Sequence, residues 1–265
     1  MMISGMKSKI SNKNNSINKV KKPVLVTGSV LLWIFVWQIG AMLANRSLLI
    51  KIPYPIDTVK MFLANLTSLD FWGVVGISVL NILTGFLLAV ILGVLLGMLS
   101  ARFELFNILI SPLLHLIRTV PVAAIVIVAW LWIPSSALAS FISFLMVLPI
   151  VWSHTISGLK SVDVKLIEMA KINKMSPFDI AFKIKLPLIS PYIRTGCLTG
   201  VGIAWKSGVA AQVIASPADT LGSLLRGAKT SIDYTEVFAI TLTIVLLSVI
   251  IENILKLVWR ERRYD

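Results

Sequence analysis

Residues 161–191 read SVDVKLIEMAKINKMSPFDIAFKIKLPLISP, between two long apolar runs. Val164 to Ile172 has helical spacing, with Leu166, Ile167, Met169 and Ala170 grouped on one side. Asn173-Lys174 is the expected turn, because asparagine tolerates the left-handed conformation. Ser176 then reads as an N-cap, with Pro177 at the first helical position and Asp179 three residues after the cap. Pro187 is expected to end this second helix. Residues 160–191 therefore predict a helical hairpin. A connection of this length is usually functional or disordered, and its capping argues for order.

The flanks of the hairpin decide the solvent. The chain is 57% hydrophobic and 14% charged. A soluble domain has about 45–50% apolar and about 25% charged residues. The excess lies in blocks near 24–44, 74–99, 106–132, 136–158, 194–215 and 237–258. Each approaches the roughly 20 apolar residues that a helix needs to cross the hydrocarbon layer. The expected fold is all-α, a polytopic membrane bundle of about six transmembrane helices. Val24 to Ala44 is longer than a signal-peptide core and reads as a retained first span. Residues 1–22, rich in Lys, Asn and Ser, read as a disordered basic tail ahead of a transmembrane domain over 23–265.

The formal net charge is +13. With six spans and both termini on one side, the basic residues crowd the tail, the hairpin and the C-terminus. The opposite loops hold Arg46, Lys51, Lys60, Arg226 and Lys229, offset by Asp57, Asp70, Asp219, Asp233 and Glu236. This asymmetry predicts that both termini and the hairpin are cytoplasmic, and it removes the need for a nucleic-acid partner. The single cysteine, Cys197, excludes an internal disulfide and two-cysteine redox or metal motifs. Two histidines without a cysteine pair or a nearby acidic cluster argue against a metal site.

Inside the blocks, Gly85, Ala89, Gly93 and Gly97 recur every four residues, as do Gly196, Gly200, Ala204 and Gly208. Such stripes let helices approach closely. Thr195, Thr199, Gly202 and Lys206 fall on another face of the fifth span. Residues 106–132 contain Pro112 and Pro121, each expected to break or kink a helix. Between them lie His115 and Arg118. A cation at membrane depth costs about 2.5–3.5 kcal/mol on insertion scales and faces water or protein, so Arg118 and Lys206 are the pathway candidates. Gly222 to Thr230 reads GSLLRGAKT, but a phosphate-binding loop requires lysine directly after its second glycine. Ala228 intervenes here.

At the hairpin the chain resembles the permease subunits of ATP-binding-cassette importers of the type I fold. Their loop reads Glu-Ala-Ala, three residues, Gly, nine residues, Ile, any residue, Leu-Pro. Glu168, Ala170, Ile184, Leu186 and Pro187 match at unbroken spacing, while Met169 replaces an alanine and Lys174 the glycine. The glycine replacement places the turn at Asn173. Leu116 to Pro121, the Trp130–Pro134 turn and Ala204-Trp205-Lys206-Ser207-Gly208 are similar to the branch importing nitrate, alkylsulfonates and taurine. Where that branch often has an acidic residue after paired alanines, this chain has Gln212. The similarity runs from about Pro53 to Glu252.

The resemblance implies a bacterial cell-membrane permease without catalytic residues or a cofactor of its own. ATP and Mg would bind two partner ATPase subunits. A second permease subunit, expected to be an identical copy, would complete the pathway, and an extracytoplasmic binding protein would deliver a small, anionic solute. Glu168, Met169, Ala170 and Lys174 would dock the ATPase, and Ile184, Leu186 and Pro187 would shape the loop. Trp205 and Ser207 would join Arg118 and Lys206 at the pathway. The alternative, a gradient-driven secondary transporter or channel, needs an inverted repeat or a buried acidic relay. No acidic residue lies near the centre of any span. An intramembrane enzyme is disfavoured too, since Ser153 and His154 are helix neighbours that do not face each other.

Overall fold

Helix α6 (Ser135–Lys160) organises the molecule, with α3 (Leu69–Arg102) against one side and α9 (Leu186–Ala215) against the other. The computed structural model describes residues 25–46 and 51–258. The predicted basic tail and the last residues of the C-terminus lie outside them. The remaining helices in chain order are α1 (Leu25–Ala44), α2 (Pro55–Leu66), α4 (Glu104–Thr119), α5 (Val122–Ala129), α7 (Val164–Ile172), α8 (Pro177–Asp179), α10 (Leu221–Thr230) and α11 (Tyr234–Val258).

Among the described residues, five helices are long and apolar enough to cross a membrane, and α4 with α5 forms a sixth, bent candidate. The chain is thus a multi-pass membrane protein, and its strongly apolar surface fits lipid. Trp33, Leu87 and Ile91 are all exposed. No water competes for backbone groups in lipid, so helices are the form such segments take.

The small-residue stripes pack as their spacing predicts. Gly93 and Gly97 face Val151 and Thr155 of α6, and Gly200 faces Val147. Side chains then tie the helices together. Trp152 Nε1–H donates to Ser100 Oγ at 2.9 Å. Ser143 Oγ donates to the Ala204 carbonyl at 3.1 Å and Ser140 Oγ to that of Asn81 at 2.7 Å. These three donors are thereby satisfied, as a low-dielectric core favours.

The break in 106–132 falls at one proline only. Val120 is extended ahead of Pro121, and α4 and α5 meet at 107°. A residue before proline is pushed out of the helical region, which explains the site of the bend. Pro112, expected to break or kink its helix as well, instead sits inside α4. Membrane helices tolerate an interior proline because neighbours re-satisfy the freed backbone groups.

Two hairpin expectations need correction. The turn is made by Lys174 itself, at φ 54°, and not by Asn173, which stays at φ −76°. Lys174 N–H donates to the Lys171 carbonyl at 2.9 Å and Met175 N–H to that of Ala170 at 3.1 Å. This pair of bonds closes a Schellman C-cap, which satisfies two orphan carbonyls and offsets the strain of a side chain there. Asn173 supports it through Nδ2, which donates to the Met169 carbonyl at 2.9 Å. A left-handed non-glycine residue costs roughly 1–2 kcal/mol. Lys174→Gly should therefore stabilise the hairpin by about 1 kcal/mol. Slower amide hydrogen exchange across α7 would report it, and unchanged exchange would contradict it.

Pro187 also does not end the second arm. A π-helical turn over Ile180–Lys185 joins α8 to α9, and Pro187 lies in the first turn of α9. The wider turn restarts the bonding register, so the missing N–H falls where a helix start tolerates it. The fifth span therefore continues directly from the hairpin instead of beginning near 194.

Candidate functional site

The hairpin projects from one end of the bundle, between α6 and α9. Asp163 caps α7, its carboxylate accepting from Lys165 N–H at 2.9 Å. Ser176 caps the second arm as predicted, its Oγ accepting from Asp179 N–H at 3.1 Å. Asp179 in turn pairs with Lys183 at 2.5 Å. The bonds from Lys183 and Ser176 hold its carboxyl below the usual aspartate range.

Ala170 is buried and Ile167 half-buried, which anchors α7, and Glu168 points outward. Met169 does not join the buried side; it is 58% exposed. Ile172, Phe178 and Phe182 are 80%, 69% and 53% exposed, and the two phenyl rings touch with centroids 4.3 Å apart. Large side chains left uncovered on a capped, ordered element are available for contact with a partner or with lipid. Sequence reading missed these three residues, because helical spacing alone does not say which apolar side chains the bundle leaves uncovered. Lys174 stands exposed at the tip, while Ile184 and Leu186 are half-buried where the hairpin meets the bundle, with Pro187 exposed beside them.

A groove of about 350 Å³ opens between α4, α6 and α9. Arg118, Ser153, His154 and Thr199 supply its polar lining. The Arg118 guanidinium donates to the Pro149 carbonyl. His154 stands beside Gly196, whose lack of a side chain leaves room for the ring. Sequence reading assigned His154 to packing; its place beside Arg118 depends on how α4 docks on α6, which no local pattern encodes. His115 instead meets Trp152 edge-on at 6.2 Å.

Lys206 follows Thr199 and Ile203 along one face of α9 and is exposed. Its two neighbours point elsewhere. Trp205 is buried, its Nε1–H donating to the Ile244 carbonyl at 3.0 Å. Ser207 is buried and donates to the Ile203 carbonyl at 2.8 Å. Residues 222–230 lie within α10, where Gly222 packs on Gln212, so this segment is a helix and not a phosphate loop.

The bundle thus carries an ordered hairpin between two spans and an open groove with Arg118, Ser153, His154 and Thr199 in its lining, features that a transport permease would use. The chain belongs to the family of binding-protein-dependent transport system inner membrane components, whose model matches residues 89–264. It is similar to a putative ABC transporter permease of Methanocaldococcus jannaschii, at 29% identity over 97% of both chains. A putative aliphatic sulfonates transport permease of Bacillus subtilis is 28% identical over 78% of this chain and 74% of its own. A nitrate import permease of Synechocystis is 26% identical over 76% of each. The chain is thus the permease subunit of an ABC-type transport system, a transport component. Such subunits work with ATPase and substrate-binding partners, and the gradient-driven alternative is not favoured.

Proposed function

We propose that this chain imports a small anion, as one of two identical permease subunits in a bacterial cell membrane, with the hairpin and both termini in the cytoplasm. ATP and Mg bind two separate ATPase subunits, which dock on α7 through Glu168, Met169, Ala170 and Lys174. Ile184, Leu186 and Pro187 set the junction through which hairpin movement reaches α9. A binding protein delivers the solute at the opposite face. The observation that carries this reading is the exposed, capped hairpin with Glu168 outward beside apolar side chains. The net charge distribution supports the orientation.

The anionic class rests on the groove and on Lys206. Two cations on intramembrane surfaces favour negative charge, and the relatives named for sulfonate and nitrate transport fit that chemistry. Trp205 and Ser207 support the α9 face from behind. Reconstitution of the chain with its ATPase and binding protein in vesicles tests the reading. Uptake should require ATP and both partners. Lys206→Met should lower uptake of an anionic substrate by about tenfold, equivalent to about 1.4 kcal/mol. Unaltered rate and affinity in that variant would remove Lys206 from the pathway.

A further inference from the structure

A second cavity lies at the foot of the hairpin, away from both the docking face and the groove. It measures about 650 Å³ and sits where the α3–α4 corner, the end of α6 and the π-helical turn meet. Arg102, Lys160 and Lys185 line it, against a single carboxylate, Glu104. No ion pair joins any of these four to another described residue. The Arg102 guanidinium rests instead over the Phe103 ring, 5.8 Å from its centroid. Like charges gathered around one concavity, with low-dielectric walls, focus a positive potential inside it. Asn107 adds an amide to the lining. Ser100 adds a hydroxyl whose oxygen accepts from Trp152 at 2.9 Å, leaving its own proton for a ligand.

The surroundings narrow the ligand. Phe103, Leu105, Ile108 and Leu109 are exposed apolar residues on the same corner. The cavity thus joins a polar, cationic interior to an apolar outer wall. With the hairpin on the cytoplasmic side, as in the reading above on which this inference rests, the cavity stands at headgroup depth. Acidic lipids of that leaflet attract basic segments by about 1 kcal/mol per Lys or Arg.

We propose that this cavity binds a phosphate-bearing anion, supplied by the headgroup of an acidic phospholipid or by free phosphate. The ligand bridges Lys185, the last residue of the π-helical turn, to Lys160 of α6 and Arg102 of α3. It therefore ties the hairpin's second arm to the spans beneath it, so the posture of the hairpin responds to the anion supply.

Thermal unfolding of the purified full-length chain in detergent tests the proposal, with dioleoylphosphatidylglycerol, dioleoylphosphatidylcholine and sodium phosphate as probes. Phosphatidylglycerol should raise Tm and phosphatidylcholine should not. The double variant Lys160→Gln/Lys185→Gln should shift the phosphatidylglycerol midpoint upward on the order of 20-fold. Glu104→Gln should lower that midpoint by about fivefold, a gain that misfolding does not produce. Lys165→Gln/Lys171→Gln, which removes the same charge elsewhere on the hairpin, should leave it in place. If sodium phosphate protects alone and competes with the lipid, the source is free phosphate. Protection by phosphatidylglycerol only identifies the headgroup. A wild-type midpoint in the cavity double variant, eluting normally on size exclusion, overturns the proposal. So does a Glu104→Gln midpoint equal to wild type, or no difference between the two lipids together with no protection by sodium phosphate. The readout needs neither ATPase nor transport. Its failure alongside intact ATP-dependent uptake would leave the importer reading standing.

Discussion

Reversing the charge at Glu168 to arginine should cut ATP-driven uptake by at least about 100-fold while leaving the bundle folded. Glu168 is exposed and makes no ion pair with another described residue, so the isolated chain loses little by its replacement. The cost arises on docking. Met169 and Ile172 on the same short helix are largely exposed, so a partner seated there removes water from around Glu168. Truncating one member of a desolvated charge pair costs about 2–5 kcal/mol, and reversal adds repulsion. At about 1.4 kcal/mol per decade, that range spans roughly thirtyfold to several thousandfold. Uptake and ATP hydrolysis should be measured in parallel in vesicles, with Tm of the free permease as the folding control. Hydrolysis stimulated by loaded binding protein should vanish with uptake, and Tm should hold. Uptake within about twofold of wild type would remove Glu168 from the coupling surface, since even the low end of that energy range predicts far more.

The second large effect is structural. Gly85→Ala should destabilise the bundle by about 3 kcal/mol or more, at or above the upper end for overpacked cores. A Cβ at Gly85 would meet the Ser140 carbonyl oxygen at 2.0 Å, its carbon at 2.8 Å and its Cα at 3.0 Å. These are backbone atoms, which no side-chain rotation can move. Helices α3 and α6 would have to separate at a crossing that buries Ile82, Phe86 and Ile142. The separation would also pull on the bond from Ser140 Oγ to Asn81. Gly76 provides the matched control on the same helix, because nothing lies within 4 Å of its added Cβ. There, Gly→Ala should gain up to about 1 kcal/mol of helix propensity. The two substitutions should move Tm in opposite directions. Equal shifts would show that the crossing relaxes and that close approach at Gly85 is not what holds it.

The features legible in the sequence were those written locally. Six apolar blocks announced the spans, fourfold spacing of small residues announced the crossings, and Ser176 with Asp179 announced a cap. The features that escaped depend on neighbours. Lys174 adopts the left-handed conformation because two C-cap bonds hold it there, and a lysine gives no sign of that in its own propensity. Pro187 reads as a stop in isolation, but the π-helical turn before it resets the register. Arg118 was visible as an expensive residue, whereas its company with His154 and Thr199 required the docking of α4 and α9 on α6. Trp205 and Ser207 sat next to Lys206 in the chain and still face away from it, since adjacent residues on a helix diverge by about 100°. The two lysines and the arginine of the hairpin-foot cavity come from separate elements, so only the fold brings them together.

Because the second hairpin arm runs without a break into the fifth span, residues 177–215 form one rod of 39 residues. At about 1.5 Å per residue such a rod is roughly 58 Å long. If the hairpin couples to a partner as proposed, this rod would act as a lever whose short end lies outside the bilayer. A tilt of about 5° at its foot carries the far end sideways by about 5 Å, close to one helical turn. A small push on a surface loop would thereby be geared up into motion on the other side of the membrane.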